Sequence, residues 1–268
     1  MILVAGEALM DVFSVGPTPT GFRLEACVGG SPFNVAIGLA RLGQRTAFLG
    51  GISRGFLGER LLDTLRAEGV DASPVWRTDA PTTLGLVGLD AAGVPSYGFY
   101  GHAAADRELP VEALAAIPTD LKALHLGSIA CVVEPVAQTL REAVLRVRAD
   151  SVVSYDPNVR IAVEPDARRW RRQLDWMLPH TDLLKLSSED LEVLAPGTGP
   201  EAFARHALSQ GVRVVVLTQG DQGALAWTSR QAVRVDAPAV AVVDTVGAGD
   251  TLQAAWLAWL ADHHRLTR

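Results

Sequence analysis

The sequence predicts an α/β fold, a doubly wound and mostly parallel sheet, with a second, smaller β-sheet set apart from it. Three observations carry this. From Ala123 onward, short apolar runs alternate with stretches whose apolar residues recur at helical spacing, the pattern of parallel strands covered by helices on both faces. Near each end of the chain a glycine turn stands directly before a helix, at Gly29-Gly30 and at Gly247-Ala248-Gly249. Between the early elements, extended pieces within residues 11–29 and 83–101 flank turn-rich segments and read as a small sheet of their own.

Taken in order, residues 2–5 form a first buried strand that ends at Gly6-Glu7. Extended pieces over 11–15 and 22–28 follow, separated by Gly16-Pro17-Thr18-Pro19-Thr20-Gly21. Ser31 and Pro32 open a helix through 42, with Ser as cap and Pro in the first turn, and Gly43 closes it. A strand over 46–49 precedes an amphipathic helix marked by Leu57, Leu61, Leu62 and Leu65 and ended by Gly69. Strands over 83–90 and 96–100 make a hairpin around Ala91-Ala92-Gly93-Val94-Pro95. Then come strand 123–126, helix 135–147, strand 152–155, helix 167–177, strand 183–186, helices 188–194 and 200–209, and strand 212–217. Two shorter strands are expected up to 243, running into the second glycine turn. Past it, Leu252, Ala255, Trp256, Trp259 and Leu260 recur at helical spacing.

Composition sets the outer limits. At 268 residues with 49% hydrophobic content, the chain suits one domain over 1–268 with an ample core. A net charge of −6 argues against nucleic acid as a partner. No apolar run is long enough for a bilayer, and no basic stretch precedes the apolar start, so a cytoplasmic protein is expected. Cys27 and Cys131 lack the paired spacing of a disulfide framework or zinc site, and the histidines form no metal motif.

The chemistry concentrates in Asp244-Thr245-Val246-Gly247-Ala248-Gly249-Asp250. Glycines let the backbone approach a ligand closely, and the first turn of the following helix offers free N–H groups and the positive dipole end, an anion site. Asp250 at its mouth has two readings. It is either a base that takes a proton from a hydroxyl attacking a phosphoryl group, or an N-cap. The first glycine turn, Gly29-Gly30-Ser31-Pro32-Phe33-Asn34, permits close approach of a small polar ligand, to which Asn34 offers both a donor and an acceptor. Asp156-Pro157-Asn158-Val159-Arg160 reads on its own as a turn after a buried strand. Lys185 sits at a strand end, where ligands gather in open α/β sheets.

Together, in this order and near opposite ends of the chain, the two glycine strings resemble the ribokinase-like sugar kinases, also called the phosphofructokinase-B family. The resemblance covers essentially the whole chain. It implies that Asp250 is the catalytic base and that Gly247, Ala248 and Gly249 form the anion hole. It also implies that Asp11, Gly29, Gly30 and Asn34 hold sugar hydroxyls, and that the small sheet is a lid. Thr218, Gly220 and Gly223 resemble the family's nucleotide-phosphate loop, with Lys185 as a further phosphate contact. The Asp156–Arg160 string is similar to fructokinases and 2-keto-3-deoxygluconate kinases, in which the arginine, here Arg160, reaches toward the transferred phosphate, and with the Phe99–Asp106 segment it leans toward bacterial fructokinases. The implied cofactors are ATP and Mg2+, with a monovalent cation, K+, among the expectations. The implied partners are a free sugar and ATP, and a homodimer is expected as one assembly.

Two departures qualify the resemblance. Many members carry Asn-x-x-Glu near the metal, where this chain has Ser187-Ser188-Glu189-Asp190, so Asp190 or Glu189 takes that role through water. The family also continues through further helices that complete the adenine pocket. Their absence here would leave the apolar side of the Asp250 helix, including Trp256 and Trp259, short of cover, and would weaken discrimination between ATP and GTP. The activity this implies is ATP-dependent phosphorylation of fructose. The alternatives are a 2-keto-3-deoxygluconate kinase, a ribokinase or nucleoside kinase, and a non-catalytic sugar-binding relative. A dinucleotide-dependent oxidoreductase needs Gly-x-Gly-x-x-Gly after an early strand, and a P-loop enzyme needs Gly-Lys-Ser/Thr; the chain has neither.

Overall fold

The computed structural model describes residues 1–89, 95–242 and 244–267. In chain order its elements are β1 (Ile2–Ala5), β2 (Leu9–Thr18), β3 (Gly21–Gly29), α1 (Ser31–Arg41), β4 (Thr46–Leu49), β5 (Gly51–Ser53), α2 (Phe56–Ala67) and β6 (Trp76–Thr78). They continue with β7 (Leu84–Leu89), β8 (Pro95–Tyr100), β9 (Ala123–Gly127), α3 (Val136–Val147), β10 (Val152–Asp156), α4 (Ala167–Met177) and β11 (Leu183–Ser187). The last are α5 (Ser188–Leu194), α6 (Pro200–Ser209), β12 (Val214–Thr218), β13 (Ala224–Trp227), β14 (Ala232–Val235) and α7 (Ala248–Asp262).

The main sheet has the order β14-β13-β12-β11-β10-β9-β1-β4. Strands β4 through β12 run parallel, and β13 and β14 are added antiparallel at one edge. Strand order reverses around β1, whose neighbours are β4 and β9. Ligands bind outside the carboxyl ends of strands at such a reversal, and Gly6-Glu7 lies there. Alternate residues of each strand feed two separate cores, as the two-residue period of a strand requires. Leu3, Ala5, Leu124, Leu126, Val153 and Tyr155 pack with α3 to α6. Ile2, Val4, Ala123 and Val152 pack with α1, α2 and α7 on the other face.

The second face is not uniformly apolar. His125, Ser154 and Lys185 follow Ala123, Val152 and Leu183 at two-residue spacing, and all three are buried. With Gln253 of α7 they put a buried polar layer between the sheet and that helix. His125 Nδ1 lies 3.1 Å from Ser154 Oγ, and Gln253 Nε2 donates to the same oxygen at 3.1 Å. Burial drives the His125 ring down to about 3, with Lys185 adding to the effect, so the ring is neutral.

The small sheet has the order β3-β2-β7-β8 and hangs beyond the carboxyl ends of the main strands. Strands β2 and β3 reach further than the sequence suggests. Strand β2 passes through Gly16 and Pro17, with a register shift between Ser14 and Gly16, because pairing with β3 holds residues that turn propensity alone assigns to a loop. Strands β7 and β8 form the expected hairpin, whose turn residues Asp90 to Val94 lie outside the described residues.

Three other expectations change. The N-cap of α1 is Gly30, without a side-chain cap bond, and Ser31 is the first helical residue. No strand runs into Gly247 among the described residues. Val240 and Val242 are exposed, and β14 pairs only with β13, so the segment has no partner from which to build a ladder. The buried face of α7 is Gln253, Ala254, Leu257 and Ala258, whereas Leu252 and Trp259 face outward, Trp259 being 54% exposed. Apolar residues surround this helix on most sides, so spacing alone did not select its inner face. Among the described residues no helix is long and apolar enough to cross a membrane.

Candidate active site

A cavity of about 520 Å³ opens between the small sheet and the carboxyl ends of the main strands. Its walls bring together Asp11, Gly30, Asn34, Arg160, Gly247, Gly249 and Asp250 from four separate stretches of chain. The helices α1 and α7 meet here at their N-terminal ends. Gly247 caps α7 with φ 74°, a left-handed conformation that favours glycine, and Thr251 N–H closes the first turn on Gly247 O at 2.8 Å. Helix first turns leave N–H groups without intrahelical acceptors, so this end of α7 offers donors and partial positive charge to an anion.

Asp250 lies in that first turn but does not cap it. Its Oδ1 accepts the Ser31 hydroxyl at 2.7 Å and its Oδ2 accepts Asn34 Nδ2 at 2.9 Å, both from the first turn of α1. The carboxylate is 8% exposed and lines the cavity, which leaves the capping alternative without support. Asp11, on β2, enters from the small sheet. Its Oδ2 lies where a side chain on Gly29 would begin, 2.1 Å from an ideal Cβ, so a larger residue there would displace the Asp11 carboxylate. Burial raises the Asp11 carboxyl, partly opposed by the Arg160 guanidinium, and Asp250 adds a second negative charge to the same space.

Lys185 stands behind the wall rather than in it. Its ammonium donates to Asp156 Oδ2 at 2.7 Å, and both side chains are buried. Burial alone would lower this lysine; attraction to Asp156, Asp190 and Asp250 outweighs it and keeps the ammonium charged. Burial pushes Asp156 up to about 6 against the pull of Lys185, and its Oδ1 has no hydrogen-bond partner among the described residues. The ammonium lies 2.9 Å from the position of an ideal Cβ on Gly249, directly under the first turn of α7.

Asp190 is also buried, and its carboxylate joins two loops. Oδ1 accepts Val159 N–H at 2.7 Å, beside Arg160, and Oδ2 accepts Ser187 N–H at 2.9 Å in a capping box at the start of α5. Glu189, next to it, is exposed. Among the described residues no group of three or more His, Cys, Asp or Glu could by itself hold a metal ion. Thr218, Gly220 and Gly223 lie at the carboxyl end of β12 and do not line the cavity, nor does Ala248. Gly223 packs against β14, with an ideal Cβ falling 2.0 Å from Val235 O.

Several cavity residues were not singled out from sequence. Ser31 is one, although a hydroxyl beside a double glycine was a visible signal. Glu7 is another, buried at the switch point after β1, where it accepts Ala130 N–H at 3.2 Å. Burial raises it to about 7, against hydrogen bonds that include Ser128. A lone carboxylate in the otherwise apolar run Val4 to Leu9 was its only trace. Ser128, with φ 56°, and Asn158, with φ 39°, also line the cavity, and their strain is invisible in sequence.

The family model for "pfkB family carbohydrate kinase" matches residues 1–268. A fructokinase of Rhizobium leguminosarum bv. trifolii is 38% identical over 268 residues, covering 100% of this chain and 82% of that protein. The crystal structure of a fructokinase with bound ATP from Xylella fastidiosa superposes with a TM-score of 0.87 at 29% identity, over 97% of this chain and 81% of that one. A fructokinase double mutant from Vibrio cholerae O395, in a form bound to fructose, ADP and potassium ion, gives a TM-score of 0.84 at 28% identity, over 97% of this chain and 83% of that one. The chain belongs to the pfkB family of carbohydrate kinases.

Proposed function

We propose that this sugar kinase transfers the terminal phosphoryl group of ATP to a hydroxyl of fructose. The observation that carries the reading is the Asp250 carboxylate, held by α1 at the mouth of the α7 first turn, in one cavity with Asp11, Asn34 and Arg160. Asp11, Gly30 and Asn34 place the sugar, since carboxylate and amide together match hydroxyls that both donate and accept. The attacking hydroxyl gives its proton to Asp250. Its oxygen forms the new bond to the terminal phosphorus as the bond to the bridging oxygen breaks and ADP leaves. Arg160 meets the equatorial phosphoryl oxygens, and the N–H groups at Gly247 to Gly249, backed by buried Lys185, receive the developing charge. The small sheet of β2, β3, β7 and β8 serves as a lid that keeps water from competing as acceptor.

The nucleotide phosphates run toward Thr218, Gly220 and Gly223, along the same edge of the sheet. Magnesium would neutralise phosphate charge and would be held mainly by those phosphates and by water. The carboxylates present suit such outer contact. Both Asp190 oxygens already accept backbone N–H groups, and Glu189 is exposed beside it. The fructose, ADP and potassium ion on the Vibrio relative support fructose as acceptor and a monovalent-cation site here. A cytoplasmic location and a homodimer complete the proposal. The test is fructose-dependent ADP release by wild type and Asp250→Asn. Loss of general-base catalysis lowers kcat by about 10²–10⁴-fold while sugar and ATP still bind. Near-normal turnover by the variant overturns the base assignment.

A further inference from the structure

We propose that Ser31 is a positioning residue for phosphoryl transfer, fixing the orientation of the Asp250 carboxylate; this rests on Asp250 being the base. The carboxylate is gripped at two points by one turn of α1. Ser31 Oγ donates to Oδ1 at 2.7 Å and Asn34 Nδ2 to Oδ2 at 2.9 Å. Residues three apart lie on the same face of a helix, which is how one turn supplies both donors. The terminal torsion of an aspartate is soft, with a broad two-fold profile. A single donor leaves the carboxylate free to swing about that contact, whereas two donors on different oxygens fix its plane. Ser31 therefore determines which lone pairs face the acceptor hydroxyl.

The hydroxyl has no competing local task. Serine near a helix start ordinarily caps it, but here Gly30 is the cap and makes no side-chain bond, so Ser31 is free to reach across to α7. Ser31 is uncharged, so its removal leaves the charges around Asp250 in place: Asp11 on β2, Asp156 on β10, Lys185 on β11 and Arg160 beyond β10. The expected effect is geometric, and it appears in turnover rather than in sugar binding.

The experiment is a double-mutant cycle of Ser31→Ala and Asp250→Asn, read as kcat and KM for fructose, with a thermal melt of each variant. Ser31→Ala is expected to lower kcat by about 10–100-fold and to leave KM within about 3-fold, as a misaligned catalytic group does. In the Asp250→Asn background the same change is expected to cost nothing further, because Ser31 acts only through that carboxylate. Unchanged kcat in Ser31→Ala, a defect confined to KM, or full additivity with Asp250→Asn each overturns the proposal. Near-normal turnover by Asp250→Asn alone instead overturns the base assignment beneath it. Should Ser31→Ala melt early, Ser31→Thr replaces it with the opposite expectation, kcat within about 3-fold of wild type, since the donor is kept. A large kcat loss in that variant overturns the proposal.

Discussion

Gly38 sets how closely α1 approaches α7, and Gly38→Ala tests whether that distance matters to the site. An ideal Cβ on Gly38 falls 2.7 Å from Ala254 Cβ, the one side-chain atom of a fully buried residue of α7. Carbon atoms pack at about 3.5–4.0 Å, and a Cβ cannot rotate away, so the helices must part by about 1 Å. Replacing a helix-interior glycine by alanine gains about 0.5–1 kcal/mol of backbone entropy. Overpacking a close contact costs about 1–3 kcal/mol. The contact outweighs the entropy, and a net loss of up to about 2.5 kcal/mol follows. Function suffers more than stability. Asp250 lies one turn from Ala254, so a shift of about 1 Å carries its bonds to Ser31 and Asn34 to the limit of hydrogen bonding. A drop in kcat of about 10–100-fold is expected, with KM for fructose moving less. Ala254→Gly in the same chain restores the space and should recover most of the activity. Denaturant melts with coupled ADP-release kinetics check both parts. A Gly38→Ala protein more stable than wild type and fully active refutes the reasoning.

Two further predictions follow from the cavity wall. Burial raises Glu7 from 4.5 to about 7, so the folded state favours its neutral form. Its contribution is fully present below about pH 4.5 and is lost as pH rises through about 7, a change of about 3 kcal/mol. Glu7→Gln should flatten that part of the stability–pH curve and be relatively more stable at alkaline pH; equal slopes for both proteins count against it. Arg160→Ala should lower kcat with a smaller effect on KM for fructose, because the guanidinium meets charge that develops on the phosphoryl oxygens. A defect confined to sugar KM, with better turnover of 2-keto-3-deoxygluconate than of fructose, would instead mark Arg160 as the partner of a substrate carboxylate.

Much of this protein was legible in its sequence for local reasons. The boundaries of β1, β4, α4, α5 and α6 follow from apolar period and from punctuation by glycine, serine and proline, which act within a few residues. The glycine strings at Gly29 and Gly247 were legible because a backbone that must approach a ligand admits few residue types. Asp250 and Asn34 were then assigned by their place in those strings, and Asp11 and Arg160 by the family resemblance; all four line one cavity. The edge at 240–242 was not legible, since valines favour a strand only where a partner strand exists to receive their hydrogen bonds.

What tertiary structure alone decided is which groups face each other. Ser31 and Asp250 are 219 residues apart, and nothing local to either indicates the bond between them. Sequence marked Lys185 as a strand-end cation. Only the packing of β10 against β11 gave it Asp156 as a buried partner and placed the pair beneath Gly249. The same holds for the inner face of α7, where a polar residue, Gln253, is turned inward because Ser154 awaits it and Trp259 is turned out. Propensity and period are properties of neighbouring residues, so the chain carries them wherever it goes. Charge pairing, burial and the aim of a carboxylate depend on distances between segments, and those exist only once the sheet has brought the segments together.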